Sequence, residues 1–444
     1  MQRFPSILFL LGCLTATGSK AAGMPAPAIT AMFRGGPTHT GFYRDSGPIA
    51  APHVQWKFQT QGKIMSSPAI AGDTMYFGST DGKLYAVNVR SGAEIWAVQT
   101  EGRVTSSPAV SDTTVYFPSY DGFFYALDAA TGKLRWKFKT GGERRYSATH
   151  LHGHNPPDEV MPDPFDVYLS SPAFSNGAVY FGSGDGTVYA LDAITGALRW
   201  SFKTGDVVHS SPAVANGLVY VGSWDTFLYA LDEKTGELRW QFQTGADPQY
   251  HNQMGIQSSP VVAHGVVYFG CRDNKVYAVD ALKGTKLWSR DNDGSWVNSS
   301  PAVDGNDLWY ATGDTNRVEE VDARTGASRK SVAIGPWYFF SSPAVTPNKV
   351  YIGSWDGRLY AIDRRAGSIS WTFQTNGSRQ NLSQFVKPDG KRKFYIDGSN
   401  GFYDDLVSSV GAQFRMGSFL SSPVVRAGVL YIGSTDGNLY ALSD

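Results

Sequence analysis

Residues 170–204 read SSPAFSNGAVYFGSGDGTVYALDAITGALRWSFKT. Four apolar-rich runs are separated by Asn176-Gly177, Asp185-Gly186 and Thr195-Gly196, dipeptides that close tight hairpins because Gly and Asn tolerate left-handed backbone. The runs are rich in Val, Tyr, Phe, Leu and Trp. The last one alternates Trp200, Phe202 and Thr204 against Ser201 and Lys203, the period of a strand with one wetter face. The stretch predicts four short strands in a meander.

Its opening triplet, Ser-Ser-Pro, occurs eight times, at Ser66, Ser106, Ser170, Ser210, Ser258, Ser299, Ser341 and Ser421. The closest-set intervals are 40, 40, 41 and 42 residues, and intervals of 64, 48 and 80 are the same period with insertions. A repeat of this length means a propeller or a solenoid, and no helical periodicity interrupts the repeats. The expected fold is all-β, an eight-bladed β-propeller of four-stranded antiparallel blades. The eighth copy stops at Tyr440–Asp444 without a fourth strand, while Val54–Thr60, VQWKFQT, has a fourth-strand sequence but precedes the first triplet. The N-terminal segment is therefore expected to complete the last blade, removing two exposed edges.

Within the repeat, Ala126, Asp128, Gly132 and Trp136 form the pattern A-x-D-x-x-x-G-x-x-x-W, which recurs at Ala190/Trp200, Ala230/Trp240, Ala278/Trp288 and Ala361/Trp371, and with Asn88 for Asp at Ala86/Trp96. This resembles the tryptophan-docking motif of the pyrroloquinoline-quinone-binding-like propellers. The resemblance covers roughly residues 54 to 444. That family includes quinoprotein alcohol dehydrogenases and the propeller lipoprotein of the outer-membrane barrel assembly machinery, so the resemblance implies fold and leaves function to the site. Independently of the name, the Gly turns the chain and the Trp buries its ring against the neighbouring blade, contributing about 1.5 to 3 kcal/mol. Trp56, Trp96, Trp136, Trp200, Trp240, Trp288 and Trp371 are assigned to this role. Blade six departs, with Lys330 where Trp is expected and a third strand reading NRVEEVD from Asn316 to Asp322, and it is expected to be locally loose.

The repeat runs through almost all of the 444 residues, so one closed domain, 54–444, follows a lead-in over 23–53. The formal net charge is zero, with 39 basic and 39 acidic residues; no basic stripe points to nucleic acid. KPDGKRKF, Lys387 to Phe394, reads as a solvated hairpin tip. The start, MQRFPSILFLLGCLTATGSKAAG, reads as a secretory signal of residues 1–22, or as a lipoprotein signal ending at residue 12 with Cys13 as the lipidated residue. Either route implies a periplasmic or secreted product, free or tethered through Cys13. No other segment is long and apolar enough to span a bilayer. Cys271 stands alone in the folded part and reads as a small buried thiol.

All three large insertions, 141–169, 245–257 and 373–420, fall in blade-to-blade connectors. They decorate one face, and on rigid scaffolds binding residues gather on such loops. The first insertion carries His150, His152 and His154 at alternate positions, a candidate metal set whose spacing supplies proximity without defined geometry. Arg144 and Arg145 could clamp an anion or pair with the loop's own acids. The residue before each triplet differs from blade to blade (Leu169, His209, Gln257, Asn298, Phe340 and Leu420) and is expected at the channel mouth. Nearby lie His251, Asn252, Trp296, Trp337, Tyr338 and Phe339, with Trp224 and Trp355 in turns on the same face. These aromatics either wall a pocket or plug the channel. The Asp of each second turn recurs in all eight blades, which makes it a turn former.

Two functional classes follow. One is a monomeric binding scaffold that presents the loop-rich face to an envelope protein or a small-molecule ligand. The alternative, implied by the resemblance, is a quinoprotein alcohol or sugar dehydrogenase with pyrroloquinoline quinone and calcium on the channel axis. The adjacent-cysteine disulfide that many such relatives stack on the quinone is missing from this chain.

Overall fold

The computed structural model describes residue 1, residues 30–395 and residues 400–444. Residues 2–29, which hold most of the stretch read as a secretory signal and Cys13, lie outside the described residues. Eight sheets, each built on four antiparallel strands, form an eight-bladed propeller. Blade three shows the pattern, with strands Ala173–Ser175, Ala178–Gly182, Thr187–Asp192 and Leu198–Lys203 paired in consecutive order. Asn176 and Gly177 both adopt left-handed backbone, φ 47° and 71°, as a two-residue hairpin requires. At the next turn, Asp185 accepts from the Thr187 N–H, the Tyr189 hydroxyl and the Gly141 N–H of the preceding connector. Asp81, Asp121 and Asp225 repeat this arrangement. In these blades the recurrent aspartate thus ties the blade to its neighbour's connector.

His53–Gln59 pairs with Asn438–Ser443 and supplies the fourth strand of the last blade. Each docking Trp binds the next blade in two ways. Trp136 donates from its indole to the Ala193 carbonyl at 3.2 Å and lies over Gly196, where a Cβ would sit 2.6 Å from the ring. That glycine is required twice, for its positive φ and for the missing side chain. Trp371 instead donates to the Pro48 carbonyl, because in blade eight the two chain ends replace the turn.

The second serine of every triplet closes a ring around the channel. The Ser67 N–H donates to the Ser107 hydroxyl, and the series continues through Ser171, Ser211, Ser259, Ser300, Ser342 and Ser422 back to Ser67, each step 2.9–3.0 Å. On the face opposite the insertions, the lead-in straps the innermost strands. Carbonyls of Pro37, Thr38, Thr40 and Gly41 accept from Val214, Val262, Val303 and Val345 in four successive blades. Arg34 donates from beneath to the Pro301 carbonyl at 2.6 Å.

The structure corrects two expectations. The third strand of blade six, Arg317–Asp322, is regular and pairs along its whole length. The third insertion contains helices α1, Asn376–Asn381, and α2, Tyr403–Gln413, which the sequence did not announce. Helix α2 reads YDDLVSSVGAQ, and Val, Ser and Gly form helix weakly. It is stabilised by packing Leu406, Val410 and Ala412 into the cluster that caps the channel.

Candidate functional site

The residues before the triplets do meet on the axis. Met65, Thr105, Leu169, His209, Gln257, Asn298, Phe340 and Leu420 line a cavity of about 40 Å³, with Phe33 and the second serines completing its wall. It has room for a few waters. His209 and Gln257 anchor the first insertion across the channel. The Gln257 amide donates to the Phe165 carbonyl at 3.0 Å, and His209 Nδ1 lies 2.7 Å from Asp166 Oδ1. Burial disfavours the imidazolium, but Asp166 and Glu143 outweigh it and raise His209 to about 9. Both amide atoms of Asn298 face the cavity region without a partner among the described residues.

Above this layer lies a buried ionic network. Arg272, fully buried, donates to Asp163 at 2.5 Å and to Gln257 at 2.9 Å. Its guanidinium lies 4.3 Å from the ring centroids of both Trp224 and Trp296, a cation held between two π faces. Burial opposes the Asp163 carboxylate, yet Arg272 and His152 hold it well below its ordinary range. Trp224 stacks on Tyr146, and Trp355 stacks on Phe414 and meets Phe340 edge-on. With Trp337, also buried in the same cluster as Phe340 and Trp355, these aromatics cap the channel, whereas Phe339 packs between blades six and seven.

The three histidines of the first insertion do not converge. His150 lies edge-on to Tyr250, His152 Nδ1 sits 2.7 Å from Asn252 Oδ1, and His154 Nε2 sits 2.8 Å from the Tyr395 hydroxyl. Left-handed φ angles at His150 and His152 break the extended run that would align them. Among the described residues no group of three or more His, Cys, Asp or Glu side chains is arranged to hold a metal ion. Arg144 pairs with Asp206 at 2.8 Å; Arg145 is half-buried beside it. His251 closes a turn on Asp247 with left-handed backbone.

Beside the plug, a groove of about 320 Å³ opens to solvent. The first insertion contributes His152, His154 and Phe165, the second Asn252 and Gln253, and the third Arg392, Phe394, Tyr395 and Leu406; Gly294, Trp296, Asp314 and Tyr338 complete it. The hairpin tip at 387–391 is exposed as expected, but Arg392 turns inward. Its guanidinium lies 3.7 Å from the Tyr338 ring centroid and 3.6 Å from the Asp314 carboxylate. Burial, with His152 nearby, lowers His154 below its ordinary value.

A family model described as outer membrane protein assembly factor BamB matches residues 50–157, 163–373 and 272–401. The chain belongs to this family. Among solved structures, a europium-containing methanol dehydrogenase shares the fold with a TM-score of 0.65 at 15% identity, over 93% of this chain and 98% of that one. BamB from Moraxella catarrhalis gives 0.51 at 17% identity, over 68% and 97%. A beta-alanine-activating enzyme from Danio rerio is 29% identical over 117 residues, 23% of this chain, and the match spans only 10% of that protein's length.

The dehydrogenase fold raises the question of whether a quinone fits this BamB-family propeller. The axis above the serine ring is filled by Phe165, Tyr168, Phe340 and Leu420, and the 40 Å³ that remains is far below the roughly 300 Å³ of a small-molecule site. Cys271 is buried and free among the described residues, and its thiol is pushed up by burial. The axial residues do not fit the cofactor. Sequence reasoning passed over Arg272, Asp163, Asp314, Arg392 and Phe394. One signal was available: the residue before each turn Asp varies as Thr80, Tyr120, Gly184, Trp224, Arg272, Gly313, Trp355 and Thr435, a second diversified position on the decorated face.

Proposed function

We propose that this chain is a periplasmic or secreted binding propeller whose ligand docks on the loop-rich face, in the groove between the three insertions. The observation that carries this reading is convergence. The first insertion is anchored on its inner side by His209, Gln257 and Arg272, and insertions from three separate connectors turn residues into one solvent-open groove. A rigid base under variable loops is the arrangement that binding sites use. The apolar start of the chain supports export, and no helix among the described residues is long and apolar enough to cross a membrane. BamB kinship makes an envelope protein a second class of guest for the same face.

Two measurements on the mature protein test the reading. A thermal-shift screen of acidic, basic and neutral small molecules should give stabilising ligands whose effect is lost in Phe394→Ala. Titration with pyrroloquinoline quinone and calcium, followed by absorbance and dye-coupled alcohol oxidation, should give neither binding nor turnover. Stoichiometric quinone binding with turnover would overturn the proposal in favour of a dehydrogenase.

A further inference from the structure

Resting on that reading of the groove, we infer that its ligand is a neutral, hydroxyl-rich ring, a sugar or cyclitol, laid against the aromatic wall. Phe394 and Tyr395 supply apolar ring surface on one small site, with Trp296 and Tyr338 behind them, each with one face already against Arg272 or Arg392. The negative faces of such rings suit C–H bonds polarised by neighbouring hydroxyls. At about 320 Å³ the groove is at the small end of ligand sites, roughly 300–1,000 Å³, which suits one or two rings.

The polar groups decide the class. Among the described residues, Arg392 Nη1 and His154 Nδ1 are buried without a hydrogen-bond partner, while the Asp314 carboxylate offers acceptors within the same lining. A hydroxyl both donates and accepts, so one kind of group can serve Asp314, Arg392 and His154 together. Charge points the same way. Arg392 and Asp314 lie 3.6 Å apart, so the formal charges of the lining's one arginine and one aspartate cancel. Asp163, behind His152, is already neutralised by Arg272. An anion aimed at Arg392 would meet Asp314, a cation aimed at Asp314 would meet Arg392, and either would bring an uncompensated charge into a partly desolvated site.

The test titrates the mature protein with D-glucose, maltose and myo-inositol, and with D-glucuronate and D-glucosamine as charged counterparts, following tryptophan fluorescence and heat of binding. At least one neutral compound should bind about tenfold more tightly than its charged counterpart. Phe394→Ala should weaken it about tenfold, the loss of one aromatic contact, with the far-ultraviolet circular dichroism unchanged. Asp314→Asn, which keeps the shape and leaves Arg392 unpaired, should shift preference toward glucuronate. If glucuronate or glucosamine binds wild type as well as glucose does, the neutral-ring assignment is overturned while the groove stands as a binding site. If none of the five binds, the assignment also falls. The thermal-shift screen with Phe394→Ala then decides separately whether the groove binds any small molecule.

Discussion

In blade six, Lys330 sits directly across the sheet from Glu320 and bonds its carboxylate at 2.5 Å. The other seven blades have an alanine facing the docking tryptophan at this register, as in Ala190 and Trp200. The exchange is therefore paired. A glutamate at the alanine position fills the space the indole needs, and a lysine both neutralises it and lays its alkyl stem over Gly367, where a Cβ would meet Lys330 Cδ at 2.7 Å. Blade six docks on blade seven through the alkyl stem of a lysine that an ion pair within blade six holds in place.

Lys330→Met should destabilise the propeller by about 1–3 kcal/mol, below the cost of breaking a fully buried pair because Lys330 reaches partly exposed space. Glu320→Ala combined with Lys330→Trp should restore the pattern of the other blades and recover or exceed wild-type stability. Chemical denaturation of the two variants measures both effects, and a double variant weaker than Lys330→Met would refute the equivalence.

Ser259→Ala should cost about 1–3 kcal/mol, since it strands the buried N–H of Ser211. The ring shares no side chain with the ligand groove, so binding at the groove should be unchanged at temperatures where the variant is folded. Denaturation midpoint and ligand titration together check this.

Arg272→Met leaves Asp163 buried without its cation and should cost about 3–5 kcal/mol. Adding Asp163→Asn should recover part of the loss. Because the guanidinium lies on Trp224 and Trp296, tryptophan emission should shift in the single variant even where it remains folded.

Two buried histidines set opposite pH limits. His209 is raised from 6.5 to about 9 by Asp166 and Glu143 against the effect of burial, so its stabilisation is complete below pH 6.5 and is lost as pH rises through about 9. Burial and Arg34 lower His39, a buried residue of the lead-in strap, from 6.5 to about 3, so its contribution is complete above pH 6.5 and declines as pH falls toward about 3. Thermal melts across this range should show His209→Gln flattening the alkaline limb and His39→Gln the acidic one.

The repeat made the blades legible because each is a local meander whose turns carry their own chemistry, as Asn176-Gly177 and Asp185 show. The position before each triplet was legible as axial, since every copy enters its innermost strand in the same register. Whether that axis stays open was not legible. The answer rests on residues 163–168 crossing from a distant connector to meet His209, Gln257 and Phe340, contacts between segments whose separations follow no period. The same holds for helix α2, whose weak propensity is overridden by the cluster it packs on, and for Arg392 and Asp314, 78 residues apart in sequence yet 3.6 Å apart in space. By itself the sequence determined the blade count, the closing strand and the decorated face, all fixed by periodic short-range interactions. Only the tertiary structure decided that the channel is sealed and that the insertions open a groove beside it, because burial and charge pairing between remote loops fix those features.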